Sequence, residues 1–235
     1  MPEPSESPDR LVVAIDGPSG SGKSSTARGV ATRLGLEFLD TGAMYRAATW
    51  LALTEGLPTD DQAAVADLVR VAAIDIDTDP AQPRISINGH DVTAAIREPA
   101  VSAVVSQIAT NLRVRADLIA RQRALIAASE RGMVAEGRDI TTVVAPDADV
   151  RVLLVADPQA RVRRRHAELG EAVDADSVTD QVIRRDTDDS TVASFHEAAP
   201  GVVLVDSTHL DLDQVIDEIC GLVPDAASNA GREVS

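Results

Sequence analysis

The chain has 235 residues, of which 44% are hydrophobic and 26% charged, a composition that suits one substantial globular core. Its formal net charge is −16, whereas a protein that coats nucleic acid or an anionic membrane needs a broad basic surface. We therefore expect neither nucleic acid nor membrane as a partner. The one cysteine, Cys220, cannot form an internal disulfide, and no segment approaches 18 apolar residues, so we expect a cytoplasmic protein.

The first apolar run, residues 11–15, predicts a strand, and a glycine-rich stretch follows it. Residues 17–24 match the phosphate-binding loop pattern G-x-x-x-x-G-K-[ST], in which backbone N–H groups surround phosphates and the lysine reaches their outer oxygens. Lys23 is the only lysine of the chain, and Ser24 would hold Mg²⁺ through its hydroxyl. The predicted ATP-binding residues are Gly17, Pro18, Ser19, Gly20, Ser21, Gly22, Lys23, Ser24 and Ser25.

Helices and strands alternate after this loop. Helical spacing predicts a helix over residues 24–34 that stops at Gly35, and a short strand follows at residues 37–39. Asp40-Thr41-Gly42 can cap a helix that runs to about residue 54. The sequence Thr59-Asp60-Asp61-Gln62 has the spacing of a capping box and predicts a helix through residue 71.

The pattern changes at residues 74–77 and 84–87, where apolar and polar residues alternate with a period of two. Asn88-Gly89 follows and is typical of a two-residue hairpin turn. We expect a small antiparallel sheet inserted into the α/β chain. Helical spacing returns over residues 99–131, where we predict two helices broken near Asn111.

Three more short apolar runs, residues 133–135, 150–156 and 202–205, each lead into polar residues and then a helix. Such alternation predicts a parallel sheet covered on both faces. The motif Gly137-Arg138-Asp139 closes one of these strands, and ligands of an open parallel sheet bind at the carboxyl ends of its strands. Arginines matter here because phosphoryl transfer depends on positioning and positive charge. The candidate groups are Arg46, Arg113 with Arg115, Arg138, and Arg161 with Arg163, Arg164 and Arg165.

Three motifs join the phosphate-binding loop in a fixed order: Asp40-Thr41-Gly42-Ala43-Met44-Tyr45-Arg46, Gly137-Arg138-Asp139 and Arg185-Asp186-x-x-Asp189-Ser190. With them, the chain resembles the bacterial cytidylate kinases from about residue 12 to residue 223. This resemblance implies ATP-dependent phosphorylation of CMP and of dCMP, with Mg²⁺ accompanying ATP. We expect these small nucleotides as the partners and a monomer as the active form.

The resemblance also implies an α/β P-loop kinase fold with a five-stranded parallel sheet flanked by helices, a small antiparallel sheet insertion and a helical lid. A single domain would cover residues 11–223, with its core at 11–70 and 132–223. The acceptor-binding insertion would lie at about residues 71–111 and the lid at about residues 157–190. Residues 1–10 would be a disordered tail and residues 224–235 a flexible one, because neither has an apolar period.

The resemblance assigns two groups of site residues by matching positions. The catalytic group, which would surround the transferring phosphate, comprises Lys23, Arg161, Arg164 and Arg165. The CMP-binding group comprises Thr41, Arg46, Ser106, Arg115, Arg138, Asp139, Arg185 and Asp189. Within the second group, Arg46, Arg138 and Arg185 would bind the acceptor phosphate. Ser106, Arg115 and Asp139 would contact the cytosine edge, and Asp189 the ribose.

The chain departs from the family pattern at two places. Val192 stands where the family usually has an arginine, which predicts one phosphate contact fewer, and Thr141 replaces a common glycine. A P-loop kinase for another small acceptor and a catalytically idle nucleotide sensor therefore stay open as alternatives. A GTPase that reads guanine through Asn-Lys-x-Asp is excluded, because the chain has no second lysine.

Overall fold

The computed structural model describes residues 10–169, 187, 191, 193 and 197–224. Nearly all of both predicted tails, most of the predicted lid, and the three positions Arg185, Asp189 and Val192 lie outside the described residues. The domain limits that the resemblance implies stay predictions.

A parallel five-stranded sheet forms the centre of the fold. Its strands are β1 (Val12–Asp16), β2 (Glu37–Asp40), β6 (Met133–Gly137), β7 (Val150–Val155) and β8 (Val203–Asp206), arranged in the order β2-β6-β1-β7-β8. In this register Asp16 lies beside Gly137, and Asp40 beside Glu136. The predicted parallel sheet is confirmed, and its carboxyl edge brings these polar strand ends together.

Seven described helices cover the sheet: α1 (Lys23–Leu34), α2 (Thr41–Thr54), α3 (Gln62–Val71), α4 (Pro99–Ala109), α5 (Leu112–Ala128), α6 (Pro158–Leu169) and α7 (Leu212–Cys220). Successive side chains of a strand point to opposite faces, so β1 contributes to two hydrophobic cores. Val13 and Ile15 belong to the core that includes residues of α1 and α7, whereas Ala14 belongs to the core that includes residues of α2 to α5. Both faces of the sheet are therefore buried, as its apolar strands predicted.

The predicted antiparallel insertion is also present. It consists of β3 (Ile74–Asp77), β4 (Arg84–Ile87) and β5 (His90–Asp91), in that order in the sheet. Asn88 and Gly89 have φ angles of 50° and 78°, the left-handed values that a tight hairpin turn between β4 and β5 requires. A short 3₁₀ turn, Ala95–Arg97, then leads into α4 and completes the connection back to the helical layer.

Two predicted helix starts have different outcomes. The predicted break near Asn111 is confirmed, and Asn111 caps α5 because its side chain accepts from the N–H groups of Arg113 and Val114. The predicted cap at Thr59 is wrong: α3 starts after Asp61, whose carboxylate accepts from the Ala64 N–H at 3.0 Å. The Thr59 hydroxyl instead donates to the Gln107 side chain on α4. A carboxylate next to the helix satisfies the same N–H groups and leaves Thr59 available for this tertiary contact.

Candidate active site

The glycine-rich loop connects β1 to α1 in a conformation that only glycine adopts easily. Gly20 and Gly22 have φ angles of 76° and 90°. A Cβ at Gly20 would lie 2.5 Å from the Arg161 carbonyl oxygen, because the loop passes directly over α6. Lys23 donates to the Pro18 carbonyl at 3.1 Å across this loop. The loop and the amino end of α1 together form a cradle suited to an anion.

The carboxylate of Glu136 lies beside this cradle, and sequence reasoning missed it. The Ser24 hydroxyl donates to Glu136 Oε1 at 2.5 Å, and the Thr41 hydroxyl donates to the Glu136 main-chain oxygen at 2.8 Å. Glu136 is 3% exposed at the carboxyl end of β6, next to β1. The sequence did contain a signal for Glu136, an acidic residue at the end of an apolar strand and directly before Gly137-Arg138-Asp139.

Two neighbouring carboxyl groups share this edge of the sheet and differ in their affinity for a proton. Burial, followed by the negative charge of Asp40, raises the pKa of Glu136 to about 7, although Lys23 and the Ser24 hydroxyl oppose the shift. Burial also acts on Asp40, but the Arg97 guanidinium outweighs it and keeps the pKa of Asp40 below its ordinary value. Arg97 donates to Asp40 Oδ2 at 2.6 Å. Glu136 is therefore the group that takes up a proton first.

We expect Glu136→Gln to stabilise the nucleotide-free protein at pH 8. The pKa of Glu136 rises from 4.5 to about 7 on folding, so its favourable contribution is complete below pH 4.5 and disappears as the pH rises through 7. Glutamine keeps the shape without the charge, which raises the free energy of unfolding by roughly 3 kcal/mol at pH 8 and by little at pH 5. Urea unfolding of the variant and the wild type at pH 5 and pH 8 tests this prediction. It would be refuted if the two proteins differed in free energy of unfolding by the same amount at both pH values.

A cleft of about 660 Å³ opens at the carboxyl edge of the sheet, between the glycine-rich loop and the antiparallel insertion. The predicted site residues that line it are Ser19, Gly20, Gly22, Lys23, Ser24, Ser25, Thr41, Arg46, Arg115, Arg138 and Asp139. Lining residues that were not predicted include Arg28, Asp40, Tyr45, Arg84, Arg97 and Glu136. The residues named here come from five separate parts of the chain and meet in one cavity.

The arginines on the acceptor side of the cleft are held by specific partners. Arg46 is buried and donates to the Ile96 carbonyl at 3.0 Å and to the Ser102 hydroxyl at 2.9 Å. Arg115 donates to the carboxylate of Asp139, and this ion pair is also buried. Burial raises the pKa of Asp139, whereas Arg115 opposes the shift. The guanidinium groups are therefore oriented by the folded protein alone.

The remaining predicted residues lie elsewhere or outside the described part. Arg161 donates to the Ser19 carbonyl, and Arg164 to the Ser21 carbonyl, each at 3.1 Å. Both side chains thus hold the glycine-rich loop from the α6 side and do not line the cleft. Ser106 is buried on α4 and does not line the cleft either, nor do Gly17, Pro18 and Ser21. The Arg165 side chain lies outside the described residues, with Arg185 and Asp189, and all of these roles stay predictions.

A five-stranded parallel sheet with a phosphate-binding loop after its central strand and an arginine-lined cleft at its carboxyl edge defines a P-loop kinase. Residues 13–225 match the cytidylate kinase family, and the chain belongs to it. It is therefore a phosphotransferase that uses ATP and nucleotide substrates.

Individual relatives cover nearly the same length. A cytidylate kinase of Cutibacterium acnes is 57% identical over 216 residues, which span 91% of this chain and 96% of the relative. A cytidylate kinase of Nocardia farcinica is 46% identical over 227 residues, or 95% of this chain and 97% of the relative. A crystal structure of an uncharacterized protein from Eubacterium ventriosum shares the fold with a TM-score of 0.53 and 11% identity, covering 91% of this chain and 98% of that one.

Of the helices that the structure describes, none combines the length and apolar character needed to cross a bilayer.

Proposed function

We propose that this chain transfers the γ-phosphoryl group of ATP to CMP, and also to dCMP, to form the nucleoside diphosphate and ADP. The observation that carries the proposal is that Lys23 and three guanidinium groups, Arg46, Arg115 and Arg138, line one cleft. The cleft has a volume of about 660 Å³, within the range of small-molecule binding sites. Membership of the cytidylate kinase family supports CMP as the acceptor.

The donor end of the cleft is the glycine-rich loop. The β- and γ-phosphates of ATP would lie on its N–H groups and at the amino end of α1, where the helix dipole favours negative charge. No acidic residue occupies the first turn of this helix. Lys23 would leave the Pro18 carbonyl, which it now contacts, for the γ-phosphate oxygens. Its ammonium group then balances charge that develops during transfer.

The acceptor end is formed by arginines and one carboxylate. Arg46 and Arg138 would bind the phosphate of CMP, with Arg185 added by the resemblance. Asp139 would accept from the amino group of cytosine, because a carboxylate is the complement of that donor, while Arg115 keeps the carboxylate in place. Thr41, Ser106 and Asp189 would complete the nucleotide site.

The chemical step needs no protein base. An anionic oxygen of the CMP phosphate attacks the γ-phosphorus of ATP in line and forms the new P–O bond. The bond from that phosphorus to the β,γ-bridging oxygen breaks, and its electron pair leaves with ADP. The protein's contribution is to align the two phosphates and to surround the transferred group with positive charge. Arg161, Arg164 and Arg165 would add to this charge when the lid closes.

The side chains at the cradle fit Mg²⁺, which prefers oxygen ligands and shares its coordination with substrate phosphates. The Ser24 hydroxyl and the Glu136 carboxylate lie 2.5 Å apart, and a cation beside this buried carboxylate would balance its negative charge. Ser24 would bind the ion directly, with Glu136 close by. When bound, Mg²⁺ would neutralise charge on the β- and γ-phosphates.

We propose that the monomer is the active form, as the resemblance implies. ATP and CMP are intracellular metabolites, and the one cysteine implies no disulfide within the chain, which supports a cytoplasmic enzyme.

The proposal is tested by measuring ADP release with CMP, dCMP, UMP, AMP and a set of non-nucleotide phosphoryl acceptors. We expect turnover with CMP and dCMP at least tenfold above UMP, and loss of turnover when EDTA removes divalent cations. Preferred turnover with another acceptor would identify a different kinase. Binding of ATP without ADP release for any acceptor would instead identify a nucleotide sensor.

A further inference from the structure

The turn that follows Gly137-Arg138-Asp139 is capped by a residue from another strand. Residues Ile140–Val144 form a single wide helical turn, in which the Val144 N–H bonds to the Asp139 carbonyl at 3.1 Å. Asp139 stands at the amino end of this turn, yet its side chain makes no capping hydrogen bond to it. An aspartate in that position ordinarily caps the following N–H groups. Here its carboxylate is bonded to Arg115 instead.

Asp16, the last residue of β1, supplies the missing cap. Its carboxylate accepts from the Ile140 N–H at 2.8 Å, from the Thr141 N–H at 2.9 Å and from the Thr141 hydroxyl at 2.6 Å. Asp16 is 1% exposed and Thr141 3% exposed, so water does not compete for these hydrogen bonds. Without Asp16, either Asp139 would turn back to cap the N–H groups or these groups would stay buried without an acceptor.

A second hydrogen bond joins the same two segments, between the residue after Asp16 and a residue that precedes the turn. Arg138 donates to the Gly17 carbonyl at 3.0 Å, beside the Asp16 cap. Asp16 and Gly17 lead directly into the phosphate-binding loop, while Arg138 and Asp139 line the cleft on its acceptor side. The donor and acceptor halves of the cleft are therefore linked through the Asp16 cap.

We propose that Asp16 and Thr141 are positioning residues for the acceptor, because their hydrogen bonds leave Asp139 and Arg138 facing the cleft at a fixed distance from the phosphate-binding loop. Asp16 replaces Asp139 as the cap, and the Thr141 hydroxyl supplies the side-chain bond that fixes the turn. This inference rests on the proposed function, since it assigns Asp139 and Arg138 to the acceptor nucleotide. Neither positioning residue contacts the reacting atoms.

The experiment compares Thr141→Val, which removes only the hydroxyl donor, with Thr141→Ser, which keeps it. We expect Thr141→Val to raise the KM for CMP about tenfold, as for loss of a hydrogen bond to a charged group, while the KM for ATP changes less than twofold. In Thr141→Ser, which keeps the hydroxyl, the KM for CMP is expected to stay within threefold of wild type. Thr142→Val is the matched control, because Thr142 lies exposed on the same turn and makes none of the three bonds to Asp16.

A double-mutant cycle tests whether Thr141 acts through Asp16. In an Asp16→Asn background, Thr141→Val should change the KM for CMP less than twofold, because the acceptor of its hydrogen bond is already altered. The proposal would be overturned if the fold-changes in the KM for CMP caused by the two substitutions simply multiplied in the double variant. If Asp16→Asn does not fold, the comparison of valine and serine at position 141 still decides.

Two further outcomes separate this inference from the proposed function. Absence of wild-type turnover with CMP refutes the proposed function and the positioning role with it. If the wild type phosphorylates CMP normally, only the positioning role can be refuted. It is refuted if Thr141→Val leaves the KM for CMP unchanged or raises the KM values for CMP and ATP equally. The same conclusion follows if Thr141→Ser behaves like Thr141→Val, because the hydroxyl would then not be the feature that matters.

Discussion

Lys23→Ala is expected to lower kcat by about 10² to 10⁴, the loss observed when a donor aimed at developing charge is removed. Lys23 lies in the cradle at the amino end of α1, and the chain contains no other lysine that could take over. Arg161 and Arg164 donate to carbonyls of the loop from the α6 side and do not line the cleft. Initial rates at saturating ATP and CMP measure the effect.

Lys23→Arg is the matched variant for this prediction. It keeps the positive charge but replaces a compact ammonium with a larger planar group, so we expect partial activity, between wild type and Lys23→Ala. Thermal unfolding of all three proteins checks that the fold is retained. Wild-type kcat in a folded Lys23→Ala protein would contradict the assignment of Lys23 to the chemical step.

The parts of the site that the sequence revealed are those carried by continuous motifs. The glycine-rich loop follows from spacing within eight residues, and its place between β1 and α1 follows from the apolar run before it and the helical period after it. The hairpin at Asn88-Gly89 was likewise predictable, because two adjacent residues that tolerate positive φ leave few other turns.

Contacts between distant segments could not be read from the sequence. No motif in the sequence singles out Asp16, because its partners lie 124 and 125 residues further along the chain. The pairing of Arg97 with Asp40 depends in the same way on the insertion folding back over α2. A local pattern cannot specify which of many arginines meets which carboxylate, since that choice is made by sheet register and helix packing.

The contacts of Arg161 and Arg164 could not be predicted from the sequence either. The resemblance implied that they are lid arginines that surround the transferring phosphate. In the structure they donate to the carbonyls of Ser19 and Ser21, and Arg164 also donates to the Ser207 hydroxyl at 2.8 Å. The resemblance assigned them to the phosphate site, but the sequence could not predict that they bind the loop from the α6 side.

Asp139→Ala is expected to reduce the free energy of unfolding by about 3–5 kcal/mol, because it leaves the Arg115 guanidinium buried without its ion-pair partner. The Arg115 and Asp139 side chains are only 11% and 7% exposed. The KM for CMP should also rise at least tenfold, since the carboxylate proposed to accept from cytosine is gone, while the KM for ATP changes little. Urea unfolding and initial-rate kinetics measure the two effects.

A second arginine–aspartate pair involving α5 provides the matched control. Arg113 donates to Asp67 at 2.9 Å, but these side chains are 60% and 58% exposed. Water replaces the lost partner there, so Asp67→Ala should cost less than about 1 kcal/mol. The double variant Arg115→Leu with Asp139→Ala should recover part of the stability that Asp139→Ala loses, because no buried charge then lacks a partner. If Asp139→Ala and Asp67→Ala lowered the free energy of unfolding equally, burial of Arg115 would not determine the loss of stability. If the double variant regained wild-type affinity for CMP, Asp139 would not belong to the acceptor site.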